Sequence, residues 1–438
     1  MVMTREDVVR RFTVWLAFSA ALAAVPIAPV AAAPSSPTAL DAAPPVESVV
    51  GAALAGSPSL AAMRARLDAA RRMVAPAGAR PDPTLAVVLQ DTSFPRWTVG
   101  SDPMSMIGPE LQQDLPGPGK RAARRDAAGA EVEVRAAEFR QLQREVASEV
   151  RTLYARIFAA DRERQYLGAA REMLDMLAAT AASRYSVGAA DQEAVLKAQL
   201  EVSRIGERLD DVAADRAALA AALGRLLDQP DAAPLAEVRA LPPPAAASGP
   251  WEVLAVQGSA AVAARRAEVA AAEKRAAAAR LDLRPDFTTG AAVGLRGGFD
   301  PAVTLRFGVT YPLWRKEKQR PLLDAAEDEL AAARAEERDA EAAARAAAAT
   351  LAAQWRRANA QIERYRQAIV PQSSAAVDAA RADYLVGRGD FLTVVDDFTR
   401  WLDARVELAR READRFITWA ELEVLLADPV AGPDSREN

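Results

Sequence analysis

The 438-residue sequence contains no cysteine and no histidine. The first absence excludes disulfides, thiolate nucleophiles and thiolate metal sites; the second removes the commonest general base and the commonest metal ligand. Together they argue against an enzyme, and no cofactor or metal site can be read from the chain. Aromatic residues are scarce, at 5%. Charge of one sign is also missing: 55 Lys and Arg are dispersed among 60 Asp and Glu, for a net charge of -5. Nothing in that balance points to nucleic acid as a partner. Alanine dominates, followed by Glu, Arg, Leu and Gln, which is the profile of long packed helices.

Long hydrophobic runs are missing everywhere except near the start. Arg5, Arg10 and Arg11 precede an apolar run from Phe12 to Val30, then Ala31, Ala32, Ala33 and "PSSPTALDAAPP". Basic, apolar and small-residue zones in that order read as a secretory signal peptide over 1-33, with a linker over 34-46. The run could cross a bilayer if retained. Pro26, Pro29 and the small residues behind them favour cleavage, and with no cysteine there is no lipid attachment. No later stretch offers about twenty uninterrupted apolar residues. The expectation is an exported chain, either soluble or a membrane protein of another kind.

The rest of the sequence says nearly the same thing twice. "RYSVGAADQEAVLKAQ" (184-199) returns as "DYLVGRGDFLTVVDDF" (383-398), with Tyr185, Val187, Gly188, Asp191 and Val195 each 199 residues before Tyr384, Val386, Gly387, Asp390 and Val394. Gly56-Ser57 returns as Gly258-Ser259, "RPDPTL" as "RPDF", and "LLDQP" as "LLADP". This predicts duplication of one unit. The first repeat covers 47-230, with strands at 84-92 and 102-114 and helices at 120-184 and 191-227. The second covers 251-429, with strands at 286-297 and 301-312 and helices at 316-383 and 390-427. A proline-rich connector at 231-250 joins them, and 430-438 is a tail. In the first long helix Phe139, Leu142, Val146, Val150, Leu153 and Ile157 recur at spacings of three and four, an apolar stripe that asks for a coiled-coil partner. From Lys120 to Arg184 the rod would run about 97 Å at about 1.5 Å per residue.

The stretches before each rod have period two. Phe287, Thr289, Ala291, Val293 and Leu295 alternate with Thr288, Gly290, Ala292, Gly294 and Arg296; Val303, Leu305, Phe307 and Val309 alternate with Thr304, Arg306, Gly308 and Thr310. A soluble hairpin with one buried face is the plain reading. Strand length, aromatics near the strand ends (Phe94, Trp97, Phe299, Tyr311, Trp314) and Arg296 and Arg306 on the polar side favour strands between lipid and water. Four such strands cannot close a barrel, since free edges in hydrocarbon leave backbone groups unsatisfied. The chain must oligomerise to span a membrane.

"IVPQSSAAVDAARADYLVGRGDFLTVVDDFTRWLDARVELARREADR" (369-415) resembles the second-repeat signature of the outer-membrane efflux protein, or TolC, family. "QQDLPGPGKRAARRDAA" (112-128) resembles its strand-to-helix entry, above all in branches serving resistance-nodulation-division pumps. The resemblance implies a mainly α protomer with membrane β-strands, two repeats each giving two strands and a long coiled-coil helical hairpin. A homotrimer would then make a 12-stranded β-barrel in the outer membrane and a periplasmic α-helical tunnel, with no catalysis. The implied function is the exit duct of a tripartite efflux system, passively conducting solutes from an inner-membrane pump of the resistance-nodulation-division type, joined by a periplasmic adaptor. The resemblance places Tyr185, Val187, Gly188, Val195, Leu196, Tyr384, Val386, Gly387, Val394 and Val395 at adaptor-contacting hairpin tips. It places Asp396, with Asp397 beside it, at the periplasmic gate; Thr393 stands where the family has a second aspartate, and Lys197 holds the place of Asp396 in the first repeat. A solvated helix face is the plain alternative for the two aspartates. Alternatives for the whole chain are a type I secretion exit duct of the same fold and a soluble periplasmic coiled-coil scaffold or adaptor.

Overall fold

A computed structural model describes residues 44–93, 95–188, 191–230, 235–244 and 250–426. The expected signal peptide, most of the linker, Phe94, parts of the connector and the tail lie outside the described residues. Two short helices, α1 (Val46–Gly56) and α2 (Pro58–Ala77), lead into strands β1 (Thr84–Gln90) and β2 (Met106–Leu115). Two rods follow, α3 (Lys120–Ser186) and α4 (Gln192–Leu226). After the connector the order repeats: α5 (Trp251–Gly258), α6 (Ala260–Leu281), β3 (Asp286–Arg296) and β4 (Phe299–Thr310). The second pair of rods is α7 (Gln319–Arg364) continued by α8 (Val370–Leu385), and α9 (Phe391–Leu426).

The 67 residues of α3 span about 100 Å. A rod of that length has no single centre to pack around, so the buried apolar residues form separate clusters, three of which include α3. In the uppermost, Val49 and Ala53 of α1 meet Val150, Leu153 and Ile157 of α3 and Phe416 of α9. Lower down, Leu167 and Leu174 of α3 meet Ile205 of α4 and Phe398 and Leu402 of α9. Beside these, Trp251 of α5 packs with Ala348 and Leu351 of α7 and Leu422 of α9. The last cluster closes the two hairpin tips. Among the described residues no single helix is long and apolar enough to cross a membrane.

The first rod of the second pair is not one continuous α-helix. A π turn at Tyr365–Ile369 separates α7 from α8, and there the Val370 N–H bonds to the Tyr365 carbonyl, five residues back. Pro371 explains it, because a proline supplies no N–H and its ring crowds the carbonyl one turn earlier.

The four strands form one antiparallel sheet in the order β1-β2-β3-β4. Glu110 of β2 stands opposite Ala292 of β3, and Ala292 opposite Thr304 of β4. The β2–β3 ladder skips Gly108 and Pro109, as expected where proline has no N–H to donate. Strands β1 and β4 each have one neighbour, so both outer edges of the sheet are open.

Candidate channel wall and hairpin tips

Alternation sorts the sheet into two faces. Leu85 and Val87 of β1, Leu111 of β2, Val293 and Leu295 of β3, and Val303, Leu305, Phe307 and Val309 of β4 are all exposed; Phe307 reaches 83%. Tyr311 and Trp314 follow at the end of β4, equally uncovered. A soluble fold would cover such a face, whereas lipid covers it in a barrel. The other face is polar. Arg306 of β4 donates to Glu110 of β2 at 2.6 Å, crossing β3 where its side chains are only Gly290 and Ala292. Arg296, also polar-facing, instead caps the hairpin through the Asp300 and Pro103 carbonyls.

Where sheet becomes rod, the repeats are tied to each other. Lys120 opens α3 and is 3% exposed, with its Nζ 2.8 Å from Oδ1 of Asp286, the first residue of β3. The same oxygen accepts the Gly117 N–H at 2.7 Å. Further down, Asp161 of α3 is fully buried. It accepts from Arg216 of α4 at 2.5 Å and from the Val238 N–H of the connector at 2.9 Å. This carboxylate fastens the connector to one side of the rods. On the opposite side of α3, a groove of about 890 Å³ opens between α3, α4, α7 and α9. Its walls mix signs, with Arg156, Arg357 and Arg410 among Glu163, Asp215 and Asp414.

The tips bring most of the motif residues together but give them different surroundings. Gly188 and Gly387 have φ of 72° and 75°, the left-handed conformation that favours glycine at a helix end. Tyr185, Val187, Leu196 and Val386 are exposed. Val195 is half-buried, packed against a tip core that contains Tyr384, Phe391, Val394 and Val395. Tyr384 is only 4% exposed, with its ring edge-on to Phe391 at 5.6 Å. Arg184 from the other hairpin lies 4.7 Å over that ring and donates to the Tyr384 carbonyl at 3.1 Å. So Tyr384, Val394 and Val395 hold the hairpins together within the protomer, while the exposed four form its lower surface.

Asp396 and Thr393 are exposed, and Asp397 is half-buried. Arg400, one turn on, pairs with Asp396 at 2.8 Å and with Asp397 at 3.6 Å. In the first repeat Lys197 pairs with Glu193 at 2.7 Å, and that ammonium holds the Glu193 carboxyl below its usual range. Sequence reasoning singled out neither Arg184 nor Arg400, because each acts on a residue that only the fold or the helical turn brings close. Among the described residues no group of three or more His, Cys, Asp or Glu could hold a metal ion.

The family model for outer membrane efflux proteins matches residues 49–228 and 251–428. Among solved structures, the outer membrane protein VceC of Vibrio cholerae is similar with a TM-score of 0.74 at 22% identity, over 87% of this chain and 96% of that one. The outer-membrane channel OprN gives 0.73 at 18%, over 87% and 89%. CusC, whose structures concern transmembrane channel formation, gives 0.74 at 16%, over 87% and 92%. At these identities the likeness is one of fold. No curated protein matches the chain. A soluble scaffold is overturned by the family match and the bare apolar sheet face. The matched segments coincide with the two repeats, and the chain belongs to the outer membrane efflux protein family, its sheet in the outer membrane and its helical hairpins in the periplasm.

Proposed function

We propose that three copies of this chain form the exit duct of a tripartite efflux system, passing solutes from an inner-membrane pump and a periplasmic adaptor to the exterior. The observation that carries the reading is the open four-stranded sheet with one lipid-ready face, continuous with rods about 100 Å long. Its edges in hydrocarbon need partners, which copies of the same sheet supply.

The side of the rods that looks into the bore follows from the connector. Three connectors crossing the bore would obstruct it, so the face they cover is the outside and the groove face is the wall of the duct. At about 100° per residue, Thr393, Asp396, Arg400, Glu407, Arg411, Asp414 and Thr418 fall within about 60° on α9. Glu407, Arg411, Asp414 and Thr418 line the groove, so the same stripe carries Asp396 and Thr393 toward the bore at its lower end, with Asp397 beside them. This supports a gate at Asp396. The exposed Tyr185, Val187, Leu196 and Val386, turned by Gly188 and Gly387, supply the adaptor-docking surface, and Val195, Tyr384, Val394 and Val395 support it from beneath.

Reconstitution in planar bilayers tests the duct: the purified trimer should pass ohmic ion current with no nucleotide present, and an electrically silent trimer would overturn the proposal. Asp396→Ala should weaken block by trivalent cations; unchanged block would put the constriction elsewhere. Gly387→Lys should abolish adaptor-dependent export with the trimer intact, whereas retained export would remove the tips from docking.

A further inference from the structure

The rod face covered by the connector carries a cavity that conduction does not use. It measures about 290 Å³ and lies between α3, the π turn, α9 and connector residues 239–244. Its charge is one-sided. Among the described residues Arg162, Arg239, Arg366 and Arg415 line it, against Glu412 alone. Glu412 is already engaged by Arg366 at 2.5 Å, and Arg239 reaches Glu237 at 3.6 Å. Arg162 and Arg415 have neutral partners: Arg162 donates to Gln165 at 2.8 Å and Arg415 to Asn359 at 3.5 Å. The Nε–H of Arg415 is sealed from solvent and meets no acceptor among the described residues. Burial, and then the neighbouring charge of Arg366, lower the pKa of Arg415 below the ordinary guanidinium value. Glu412 acts in the opposite direction but is bonded to Arg366, so among the described residues Arg415 has no carboxylate of its own.

We propose that this cavity binds a small oxyanion, carboxylate or phosphate, held by Arg162 and Arg415. The paired N–H groups at the end of a guanidinium match two oxygens of a carboxylate or phosphate side by side, which an ammonium could not do. Phe158 and Phe416 form an apolar wall beside the arginines, which suits an oxyanion carried on an aliphatic group. Arg366 sits in the π turn, so the helix irregularity forms one edge of the cavity, as such turns often do at binding sites. Because the connector marks the outer side of the duct, the occupant is a periplasmic molecule and not the exported solute. When bound it bridges α3 and α9 beneath the connector.

Calorimetric titration of the full-length detergent-solubilised trimer in about 150 mM chloride tests this, using inorganic phosphate, succinate and an acidic tetrapeptide as probes. Saturable binding at one site per protomer is expected, weakened by about tenfold or more in Arg415→Met and in Arg162→Gln, with bilayer conductance unchanged in both. Saturation by phosphate or succinate identifies a free small anion; saturation by the peptide alone identifies a peptide carboxylate. If Arg415→Met does not assemble, Arg162→Gln decides alone. No saturable heat from any probe, or wild-type affinity in Arg162→Gln, overturns the site. Because conductance is read separately, a failed anion site leaves the exit-duct proposal standing.

Discussion

Removing Asp286 should destabilise the trimer more than removing Lys120, although the two form one ion pair. Lys120 stands in the first turn of α3, where the helix dipole disfavours a cation, and it is 3% exposed, while Asp286 is 41% exposed. Asp286→Ala leaves a buried ammonium with Asp282, 4.0 Å away, and also takes the acceptor from the Gly117 N–H. Breaking a buried pair from that side costs about 3–5 kcal/mol, and Asp282 draws the figure toward the lower end. Lys120→Met puts an apolar chain of similar length into the buried site. Asp286 keeps Gly117 and water, so the loss is about 1 kcal/mol, as for an exposed pair. The double variant carries neither stranded charge, so its cost should fall below the sum of the singles by about 2 kcal/mol. Thermal midpoints of trimer dissociation in detergent measure the order: wild type highest, Lys120→Met a little lower, the double variant between the two singles, and Asp286→Ala lowest. Equal losses in the two single variants, or a strictly additive double, would refute the view that the buried member of the pair sets the cost.

Three further expectations rest on other parts of the chain. Asp161→Asn removes the charge that receives both Arg216 and the Val238 N–H, so proteases should cut within residues 231–250 at least about tenfold faster; an unchanged cutting rate would show the connector is held elsewhere. Gly108→Ala places a methyl 1.7 Å from the Val293 carbonyl oxygen, so detergent-stable trimer should vanish from the membrane fraction, while Gly129→Ala, with nothing within 4 Å, should assemble at least as well as wild type. Equal yields of the two would show that the β2–β3 contact is not needed for assembly. Arg400→Ala releases Asp396 and Asp397 from their counter-ion, so the reconstituted channel should become more cation-preferring. An unmoved reversal potential would mean that this part of the stripe does not face the narrowest point.

How much of this was legible depends on how local each signal is. The alternation from Asp286 to Thr310 was readable because its two faces meet different solvents, and lipid leaves no doubt about which residues turn outward. The matching strand in the first repeat was blurred by Gly108-Pro109. It begins at Met106 and not at 102 because Asp102–Ser105 belong to a turn, pinned by the Ser105 hydroxyl donating to the Asp91 carbonyl at 2.5 Å. The π turn was hidden because Pro371 reads equally well as a tolerated helix residue. The heptapeptide at the tips was plain, and its glycines take the left-handed backbone that ends each rod. Its two copies nevertheless part ways: Tyr185 is exposed and Tyr384 is buried. The cause lies in two positions where the repeats differ, and a third difference sits one turn on. Phe391, which meets the Tyr384 ring edge-on, corresponds to Gln192; Arg184, which lies over that ring, corresponds to Asp383; the third, Asp396, corresponds to Lys197. Each difference acts across the gap between the hairpins or around the next turn, where a single sequence gives no pairing. Duplication therefore supplied a common frame for the two hairpin ends, and the unlike residues on that frame bury Tyr384 while leaving Tyr185 exposed.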